Sequence, residues 1–374
     1  MSNTFRFDLI STDPTGARRG TIHTAHGRIE TPCFMPVGTL ANVKTQTWDD
    51  VRSVGASIVL ANTYHLYLRP GHELVRELGG LHRFSGWSGP ILTDSGGFQV
   101  HSLAHNRRIE EDGVRFRSHL DGSEHLFTPE LVMRIQADLG VDIPMAFDEC
   151  CPYPSAREYA ARSMERTHAW ARRCIDAWPG EGGGVLYGIC QGAFEPDLRT
   201  ESAQTVSSLP FAGIAIGGLA VGEPKEEFER MLEIVAPHLP EHRPRYLMGV
   251  GYPEDLIDAV GRGIDQFDCV LPTRNARKAM LFTSRGPLIA KAARYARDPD
   301  PPDPNCRCRV CNTTSRAYLR HLFKSREYLA QHLATYHNLY FYLDLMRRAR
   351  EAIETGAYAE FSRRFLADYD PAAR

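Results

Sequence analysis

Two aspartates, Asp94 and Asp268, each come at the end of a short apolar run and could together perform acid–base and nucleophilic chemistry at a sugar carbon. Asp94 precedes Ser95-Gly96-Gly97, where a backbone without bulky side chains lets a ligand approach closely. Asp268 lies between Phe267 and Cys269, and a carboxylate among apolar neighbours is costly to keep charged unless a pocket uses it. Retaining glycosidic enzymes use such a pair, in which one carboxyl shuttles a proton while the other forms an ester with the sugar. Each aspartate could instead cap the helix that follows it, and the sequence leaves that alternative open.

A second set of polar residues, also placed after apolar runs, could hold a purine base. Asp148 follows Met145-Ala146-Phe147 and could accept hydrogen bonds from the amide and amine edge of a guanine-like ring. Gln191 and the backbone around Gly218 could complete that edge, and Phe98 could stack on the ring. The residue types by themselves leave guanine as one candidate ligand among several.

Three cysteines within six residues, followed later by a histidine, predict a metal site. Cys306, Cys308 and Cys311 form the pattern C-x-C-x-x-C, and His337 lies 26 residues further along. Thiolates and an imidazole are ligands that a tetrahedral zinc ion prefers, and four of them leave no open position. Such a zinc ion would be structural and not catalytic. The spacing favours His337 over His332 as the fourth ligand, and free thiols remain the alternative to a metal site.

Positive charge is concentrated in one stretch of the chain. The whole chain has a net charge of −2, yet residues 269–326 contain thirteen Lys and Arg against three Asp, a net of +10. A segregated basic zone beside a structural zinc site suits a phosphate backbone, because each phosphate contact releases counterions. The alternative is a solvated helix face with scattered charge. Another phosphate candidate, Gly249-Val250-Gly251 before Pro253, is weakened by the acidic residues Glu254 and Asp255 that follow it.

The elements that must position these residues are short apolar runs separated by polar stretches typical of helices. Strand followed by helix, repeated along most of the chain, is typical of a parallel α/β fold. The polar residues follow many successive strands and are not confined to one or two points, which favours a (β/α)8 TIM barrel over a doubly wound sheet. The predicted strands are Ala56–Leu60, Pro90–Thr93, Ile143–Phe147, Val185–Cys190, Ile214–Ile216, Tyr246–Met248 and Phe267–Leu271, and the predicted helices include Pro129–Leu139, Ser155–Trp178 and Pro224–Val235.

A proline-rich stretch predicts a division of the chain. Four prolines in Asp298–Asn305 exclude a helix or central strand there. We therefore expect a catalytic barrel over residues 1–297, a C-terminal zinc-binding subdomain insertion over residues 298–345, and a C-terminal helix over residues 346–374 that packs back on the barrel.

Composition and cysteine usage exclude several classes of protein. The 374 residues are 43% hydrophobic and 24% charged, which excludes a disordered or collagen-like chain. Nine cysteines, an odd count and mostly in apolar segments, argue against a secreted disulfide framework. We see no signal peptide and no run of 18 apolar residues, so we expect a soluble cytoplasmic protein without a membrane partner.

Several long blocks occur in a fixed order along the chain: TDSGGFQV, MAFDE, ICQG, IGGLAVGE, YLMGVG, FDCVLPTRNAR, and C-x-C-x-x-C with its later histidine. Together they resemble the bacterial tRNA-guanine transglycosylases, also called queuine tRNA-ribosyltransferases, from about Phe5 to Phe365. The resemblance implies a TIM barrel with a zinc-bearing subdomain, a homodimer, one structural Zn2+ per chain and no redox or nucleotide cofactor. It also implies exchange of the wobble guanine in tRNAs with a GUN anticodon, those for Asp, Asn, His and Tyr. The incoming base would be 7-aminomethyl-7-deazaguanine (preQ1), a queuosine precursor.

The same resemblance implies a role for individual residues. Asp268 would be the nucleophile at the ribose anomeric carbon, and Asp94 would be the general acid/base that helps guanine leave and deprotonates the incoming base. Phe98 stands where many members have tyrosine, so that stacking is retained and a hydroxyl is lost. The residues implied to hold the purine are Asp94, Ser95, Gly96, Gly97, Phe98, Asp148, Gln191 and Gly218. Those implied to touch RNA are Gly249, Val250, Gly251, Tyr252, Pro253, Glu254, Asp255, Thr273, Arg274, Asn275, Ala276 and Arg277, and those implied to bind zinc are Cys306, Cys308, Cys311 and His337.

Two other functions compete with base exchange. A retaining glycoside or nucleoside hydrolase on the same barrel would turn over with water and would not need the basic zone. A zinc-organised RNA-binding subunit with an inactive barrel could lose either carboxylate, so the presence of both Asp94 and Asp268 counts against it.

Overall fold

Strands and helices alternate along most of the chain, which the structure, a computed structural model, describes for residues 5–103, 107–180 and 184–372. The strands are β1 (Arg6–Thr12), β2 (Arg18–Thr24), β3 (Gly27–Thr31), β4 (Cys33–Pro36), β5 (Val59–Ala61), β6 (Ile91–Thr93), β7 (Arg108–Ile109), β8 (Val114–Arg117), β9 (Glu124–Phe127), β10 (Ile143–Pro144), β11 (Tyr187–Cys190), β12 (Gly213–Ile216), β13 (Arg245–Leu247), β14 (Gln266–Cys269), β15 (Met280–Thr283) and β16 (Gly286–Ile289). The helices are α1 (Trp48–Ser53), α2 (Thr63–Leu68), α3 (His72–Glu77), α4 (Gly80–Ser85), α5 (Gly97–Leu103), α6 (Pro129–Leu139), α7 (Arg157–Ala177), α8 (Pro196–Ser208), α9 (Lys225–Val235), α10 (Pro253–Gly261), α11 (Leu271–Arg277), α12 (Arg309–Thr313), α13 (Arg316–Lys324), α14 (Tyr328–Glu354) and α15 (Tyr358–Asp368), with 3-10 turns at Ala236–His238 and Ala293–Tyr295.

Eight of the strands pair in parallel and lie at the centre of the fold. Five are hydrogen-bonded in the order β11-β12-β13-β14-β4, and three in the order β10-β6-β5. Two isolated parallel bridges, Val37 with Leu60 and Met145 with Tyr187, connect the two sheets at both of their edges. The predicted α/β class is therefore confirmed. Because the paired strands are parallel, their carboxyl ends lie at the same end of the sheets.

The central strands are buried on both faces, as parallel strands covered by helices must be. Every residue of β5, β6, β11 and β12 is buried. Neighbouring residues on β4 belong to different apolar clusters, with Cys33 and Met35 in one and Phe34 in the other. The cluster that contains Met35 draws side chains from seven of the eight parallel strands, including Leu92, Ile189 and Tyr246. This cluster is the core between the strands, and the other lies between strands and helices.

Local signals determine where the surrounding helices begin and end. Thr128 accepts a hydrogen bond from the amide of Leu131, Pro129 occupies the first turn of α6, and Gly140 ends the helix in the left-handed region at φ 66°. The predicted helix over 129–139 is confirmed at both ends. The prediction over 155–178 overshoots α7 by one or two residues at each end, which is normal fraying of a boundary.

Three small antiparallel sheets and the first parallel strand were absent from the sequence prediction. The sheets are β1-β2-β3, β7-β8-β9 and β15-β16. β1 has no buried residue and only two consecutive apolar residues, Leu9 and Ile10, so it lacks the apolar run by which the central strands were predicted. From β2, Arg18 donates to the carbonyl of Glu241 at 2.9 Å and forms a buried ion pair with Asp265, just before β14. The first sheet therefore covers the amino-terminal ends of the parallel strands.

The C-terminal part of the chain packs against strand β4 and the first antiparallel sheet through one long helix. Residues 298–305 form neither helix nor strand, as their prolines predict. Helix α14 runs without a break across the predicted boundary at 345/346, and its Tyr342 packs on Phe34 of β4 with ring centroids 4.7 Å apart. Within the described ranges, no helix is both long enough and apolar enough to cross a membrane. The domain limits and the cytoplasmic location stay predictions.

Candidate active site and metal centre

The candidate catalytic and purine-holding residues lie at the carboxyl ends of successive parallel strands. Asp94 directly follows β6, Gln191 follows β11, and Asp268 is the third residue of β14. Asp148 comes four residues after β10, and Gly218 two residues after β12. Because these strands are parallel neighbours, the structure brings residues that are far apart in the sequence to one end of the fold.

Asp94 is buried and held by the start of helix α2. The amide of Thr63 donates to its Oδ1 at 2.9 Å, and the side-chain amide of Asn62 donates to its Oδ2. Burial, together with the nearby negative charge of Asp268, raises the pKa of Asp94 to about 7, although the donors Asn62 and Thr63 oppose the rise. A carboxyl group with this pKa is available both as an acid and as a base near neutral pH, which is what general acid–base catalysis needs.

Asp268 is oriented through only one of its two carboxylate oxygens. The Tyr246 hydroxyl donates to Oδ1 at 2.6 Å, and the Gly249 amide donates to the same oxygen at 2.8 Å. Burial raises the pKa of Asp268, and these two donors oppose the rise. Within the described part of the chain nothing donates to Oδ2, so one oxygen is fixed and the other is left available to react.

Asp148 forms the centre of a buried polar group with Ser95 and Gln191. The Ser95 hydroxyl donates to Oδ1 at 2.8 Å, and the Gln191 side-chain amide donates to Oδ2 at 2.7 Å. Burial raises the pKa of Asp148, while both donors lower it. The Gln191 Oε1 atom is buried without a partner in the described structure. A methyl group at Gly97 would lie 2.5 Å from the Asp148 carbonyl oxygen, so the loop can approach this closely only with glycine.

The glycine loop that begins after β6 leaves Phe98 on the surface. Half of the Phe98 side chain is exposed, while Gly96 and Gly97 are buried beneath it. An exposed ring beside a buried polar group is accessible to a planar ligand. Its stacking on a base remains a prediction.

The two segments expected to touch RNA flank Asp268 and differ in exposure along their length. In the first segment Tyr252 is half exposed, while Val250 and Pro253 are buried. In the second, Arg274 is exposed, whereas Thr273 is buried and accepts a hydrogen bond from Arg277 through its carbonyl at 2.9 Å. Only the exposed members of each segment can reach a polymer directly, and the buried members support them.

The four predicted metal ligands lie together. The Sγ atoms of Cys306, Cys308 and Cys311 are 3.8, 3.5 and 3.3 Å from Nδ1 of His337, close to the roughly 3.6 Å expected between sulfur and nitrogen ligands of a tetrahedral zinc ion. His337 Nε2 lies 2.7 Å from the carbonyl oxygen of Phe282. Donation to that carbonyl fixes the tautomer with a free lone pair on Nδ1, as metal-bound histidines require. This cluster could hold a metal ion.

The structure decides between the candidate histidines. His332 lies outside the cluster and interacts with Gln46 and the Thr45 carbonyl on the surface. His337, and not His332, is therefore the histidine that lies beside the three cysteines, and its role as a metal ligand stays a prediction.

A second group of possible metal ligands consists of His26, His82 and Asp142, which interact with one another without a metal ion. The two imidazole rings stack with centroids 3.6 Å apart and planes at 17°, and each ring faces one oxygen of Asp142. Nearly parallel rings at this separation cannot both direct a lone pair at one ion about 2 Å away. The Ile91 amide also donates to Asp142 at 2.9 Å, so the carboxylate is satisfied without a metal.

Several residues that support the site were not singled out from the sequence. Asn62 and Thr63 hold Asp94, Tyr246 orients Asp268, and Arg199 donates to backbone carbonyls beside Gly218. Tyr246 lies inside an apolar strand, and Arg199 lies in the first turns of an ordinary helix, so neither position carries a sequence signal. Asn62 does follow an apolar run, and the same rule that found Asp94 could have found it.

Comparisons with known proteins give a single family. A family model described as queuine tRNA-ribosyltransferase matches residues 13–371. Relatives named queuine tRNA-ribosyltransferase include one from Oleidesulfovibrio alaskensis, 55% identical over 370 residues, which are 99% of this chain and 98% of that protein. Another, from Pelotomaculum thermopropionicum, is 56% identical over 357 residues, 96% of each chain. A third, from Caldanaerobacter subterraneus, is 55% identical over 365 residues, 97% of each chain.

The raised pKa of Asp94 predicts a pH-dependent stability that an amide would lack. Folded Asp94 keeps its proton up to about pH 7, whereas the unfolded carboxyl loses it near the ordinary aspartate pKa of 3.8. Wild-type stability therefore falls as pH rises between these values, since the folded state binds more protons there. We therefore expect Asp94→Asn to become more stable relative to wild type as the pH rises. The free energy of unfolding of the variant minus that of wild type should increase by on the order of 3 kcal/mol from pH 4 to pH 8. Urea denaturation at both pH values measures this shift.

Asp49→Asn is the matched control for this measurement. The Asp49 side chain is 95% exposed and pairs with Arg52 on the surface. Its substitution should leave the pH dependence of unfolding as in wild type. An Asp94→Asn difference that stays constant from pH 4 to pH 8 would show that Asp94 ionises at an ordinary pKa.

Proposed function

The chain belongs to the queuine tRNA-ribosyltransferase family, and we propose that Asp94 and Asp268 exchange a tRNA guanine for another base through a covalent ribosyl–enzyme intermediate. Members of this family are tRNA-guanine transglycosylases, and this chain is one of them. The observation that carries the mechanism is the convergence of Asp94 and Asp268, which lie close enough for the charge of one to raise the pKa of the other.

In the first half-reaction, a carboxylate oxygen of Asp268 attacks the ribose anomeric carbon. The bond between that carbon and the guanine nitrogen breaks, and its electron pair leaves with the base. Asp94, as a carboxylic acid, gives its proton to the departing guanine. The products are neutral guanine, an ester between Asp268 and the ribose, and an Asp94 carboxylate. The free Oδ2 of Asp268 and the near-neutral pKa of Asp94 support this assignment.

In the second half-reaction, the incoming base displaces the ester. The Asp94 carboxylate takes the proton from the ring nitrogen of that base, and the nitrogen attacks the anomeric carbon. The ester bond breaks, and Asp268 recovers its negative charge. One glycosidic bond replaces another of similar energy, so the exchange needs no energy-supplying cofactor. Water must be kept from the ester, and the bound tRNA and base would cover it.

The purine is held by the buried polar group beside the two catalytic carboxyls. In this proposal the Asp148 carboxylate accepts from the amide and amine edge of the base, and Gln191 and the Gly218 backbone contact the rest of that edge. The unpartnered Gln191 Oε1 supports this, since a buried polar atom without a partner is rare unless a ligand supplies one. Ser95 would hold Asp148 in place, and Phe98 would stack on the ring.

The catalytic scaffold in this proposal is a closed (β/α)8 barrel. Parallel bridges at both edges of the two sheets, and a core drawn from seven of the eight strands, support closure. Active sites on this fold are built at the carboxyl ends of the strands, where the candidate residues lie. A single end of the fold would then serve both the chemistry and the binding of RNA.

Zinc is the metal that best fits the cysteine and histidine cluster. Three thiolates with one imidazole in a tetrahedral arrangement are typical of structural zinc, and the fixed His337 tautomer supports it. Bound there, the ion would hold the cluster and the segments attached to it. The residues that contact the tRNA would be the exposed members of the two segments around Asp268. A homodimer, preQ1 as the incoming base and tRNAs with a GUN anticodon complete the proposal and rest on the family resemblance.

Incorporation of labelled guanine into unmodified tRNA tests the reaction class. We expect label to enter the tRNA in exchange for unlabelled guanine, because the ester holds the cut position until the second base arrives. Counting acid-precipitable label over time measures the exchange. Release of guanine from tRNA without incorporation would support the hydrolase and contradict the proposal.

Asp268→Asn should abolish the covalent adduct between protein and tRNA, because an amide does not form the ester. A denaturing gel of protein mixed with tRNA should show the adduct for wild type and not for the variant. Asp258→Asn, on the outer helix α10, is the control and should retain the adduct. An adduct that survives Asp268→Asn would assign the nucleophile to another residue.

Cys308→Ser should remove the metal and destabilise the protein. We expect one zinc per wild-type chain by elemental analysis, and a fall in melting temperature on the order of 10 °C when the ligand set is broken. Cys174→Ser is the matched control, since Cys174 is a fully buried thiol outside the cluster. Unchanged zinc content in Cys308→Ser would contradict the assignment.

A further inference from the structure

Two successive peptide groups after strand β12 are held by one buried guanidinium. Arg199, which has no exposed surface, donates to the carbonyl oxygens of Ala193 at 2.6 Å, Gly217 at 2.7 Å and Gly218 at 2.9 Å. Within the described residues it has no carboxylate at ion-pairing distance. A fully buried guanidinium whose partners are all neutral carbonyls is unusual, because the cost of removing the charge from water is met by those carbonyls alone.

Because the peptide bond is planar, these hydrogen bonds to carbonyl oxygens also determine the direction of two backbone N–H groups. In a trans peptide, the carbonyl of one residue and the N–H of the next point in opposite directions. Because the Gly217 carbonyl points at Arg199, the Gly218 N–H points away from it. Because the Gly218 carbonyl also points at Arg199, the Leu219 N–H likewise points away from it. Arg199 therefore turns both N–H groups to the side of the loop opposite to itself.

Both amide groups lack an acceptor. Gly218 and Leu219 are buried, yet within the described residues no oxygen accepts a hydrogen bond from either N–H. Buried amides without partners are rare in folded proteins. Successive N–H groups around a left-handed residue form a concave site for a negatively polarised oxygen, and Gly218 has φ 66°.

The loop lies against the purine-holding group. A methyl group added at Gly218 would be 2.3 Å from Oε1 of Gln191, and one at Gly217 would be 2.6 Å from Nε2 of the same side chain. Gln191 in turn donates to Asp148. The two free N–H groups thus belong to the same pocket as the Asp148 carboxylate.

We propose that Arg199 is the positioning residue that makes this pocket specific for a base with a carbonyl oxygen at its six-position. Asp148 faces the donor edge of the base, and the Gly218 and Leu219 amides, aimed by Arg199, donate to the oxygen. The charge of Arg199 also polarises the two peptide groups, which strengthens their N–H groups as donors. This inference rests on the proposed function, since it assigns a specificity element to that same base site.

Guanine and 2-aminopurine, which lacks the oxygen, separate this role from general support of the fold. Titration calorimetry of the full-length protein gives the affinity for each base, and exchange assays with tRNA give KM and kcat for guanine. We expect Arg199→Met to weaken the binding of guanine by about 10- to 100-fold. The affinity for 2-aminopurine should change by less than about three-fold, because only guanine uses the oriented amides. At saturating guanine, kcat should stay within about three-fold, because Asp94 and Asp268 are unaffected.

Arg199→Lys and Arg243→Met complete the set. Lysine keeps the charge but cannot reach three carbonyls with a planar fork, so its guanine affinity should lie between wild type and Arg199→Met. If Arg199→Met does not fold, Arg199→Lys carries the test and should still lose guanine affinity and keep that for 2-aminopurine. Arg243 also donates to two backbone carbonyls, those of Ser207 and Leu209 at 3.0 Å each, away from the pocket. Arg243→Met should bind both bases as wild type does.

The outcomes distinguish this inference from the proposed function. If the wild-type protein exchanges guanine into tRNA and a folded Arg199 variant binds guanine as tightly as wild type, this inference is overturned and the proposed function stands. Equal loss of guanine and 2-aminopurine would also overturn it, because it would show a collapsed pocket and not a lost specificity contact. If the wild-type protein binds guanine selectively but does not exchange it, the proposed function fails and the specificity role stands.

Discussion

At one end of this fold two carboxyl groups, Asp94 and Asp148, are buried and a third, Asp268, is partly buried, and the residues around them serve to make that possible. Burial raises the pKa of Asp94, Asp148 and Asp268 alike. Desolvation alone would keep all three protonated and unreactive. Each therefore receives its own pair of donors, from Asn62 and Thr63, from Ser95 and Gln191, and from Tyr246 and Gly249. These donors lie on or directly after four different parallel strands, β5, β6, β11 and β13, which is why the site depends on how the strands are arranged side by side.

The metal cluster is connected to this site through helix α14. His337 contacts the Phe282 carbonyl, and the next residue, Asn338, donates to the carbonyls of Pro272 and Met280 and accepts from the Phe282 amide. One turn later the Tyr342 hydroxyl donates to the carbonyl of Gly251 at 2.5 Å. A metal that fixes His337 would thereby steady both segments that flank Asp268. The ion would act at a distance on the segments proposed to contact RNA, without taking part in the chemistry.

What could be predicted from the sequence followed from local rules, and what was missed depends on packing between distant segments. Helix α6 was correct to the residue because Pro129 and Gly140 mark its ends, and the cysteine spacing identified the metal cluster. The catalytic and purine candidates were found because polar residues after apolar runs are conspicuous. Arg199 was missed because its importance comes from its burial against Gly217 and Gly218, which are nearly twenty residues away along the chain. Strand β4 was missed because it is short and follows directly on the antiparallel strands that cover the end of the fold.

In the proposed mechanism, the electrostatic coupling between Asp94 and Asp268 adjusts the pKa of Asp94 to the needs of each half-reaction. The negative charge of Asp268 is one of the causes that raise the pKa of Asp94. When Asp268 forms the ester its charge disappears, so the pKa of Asp94 falls at the moment when Asp94 must give its proton to the leaving guanine. When the incoming base breaks the ester the charge returns, and the pKa of Asp94 rises as it takes a proton from that base. Asp94 can therefore act as acid in one half-reaction and as base in the other, because its pKa follows the charge of Asp268.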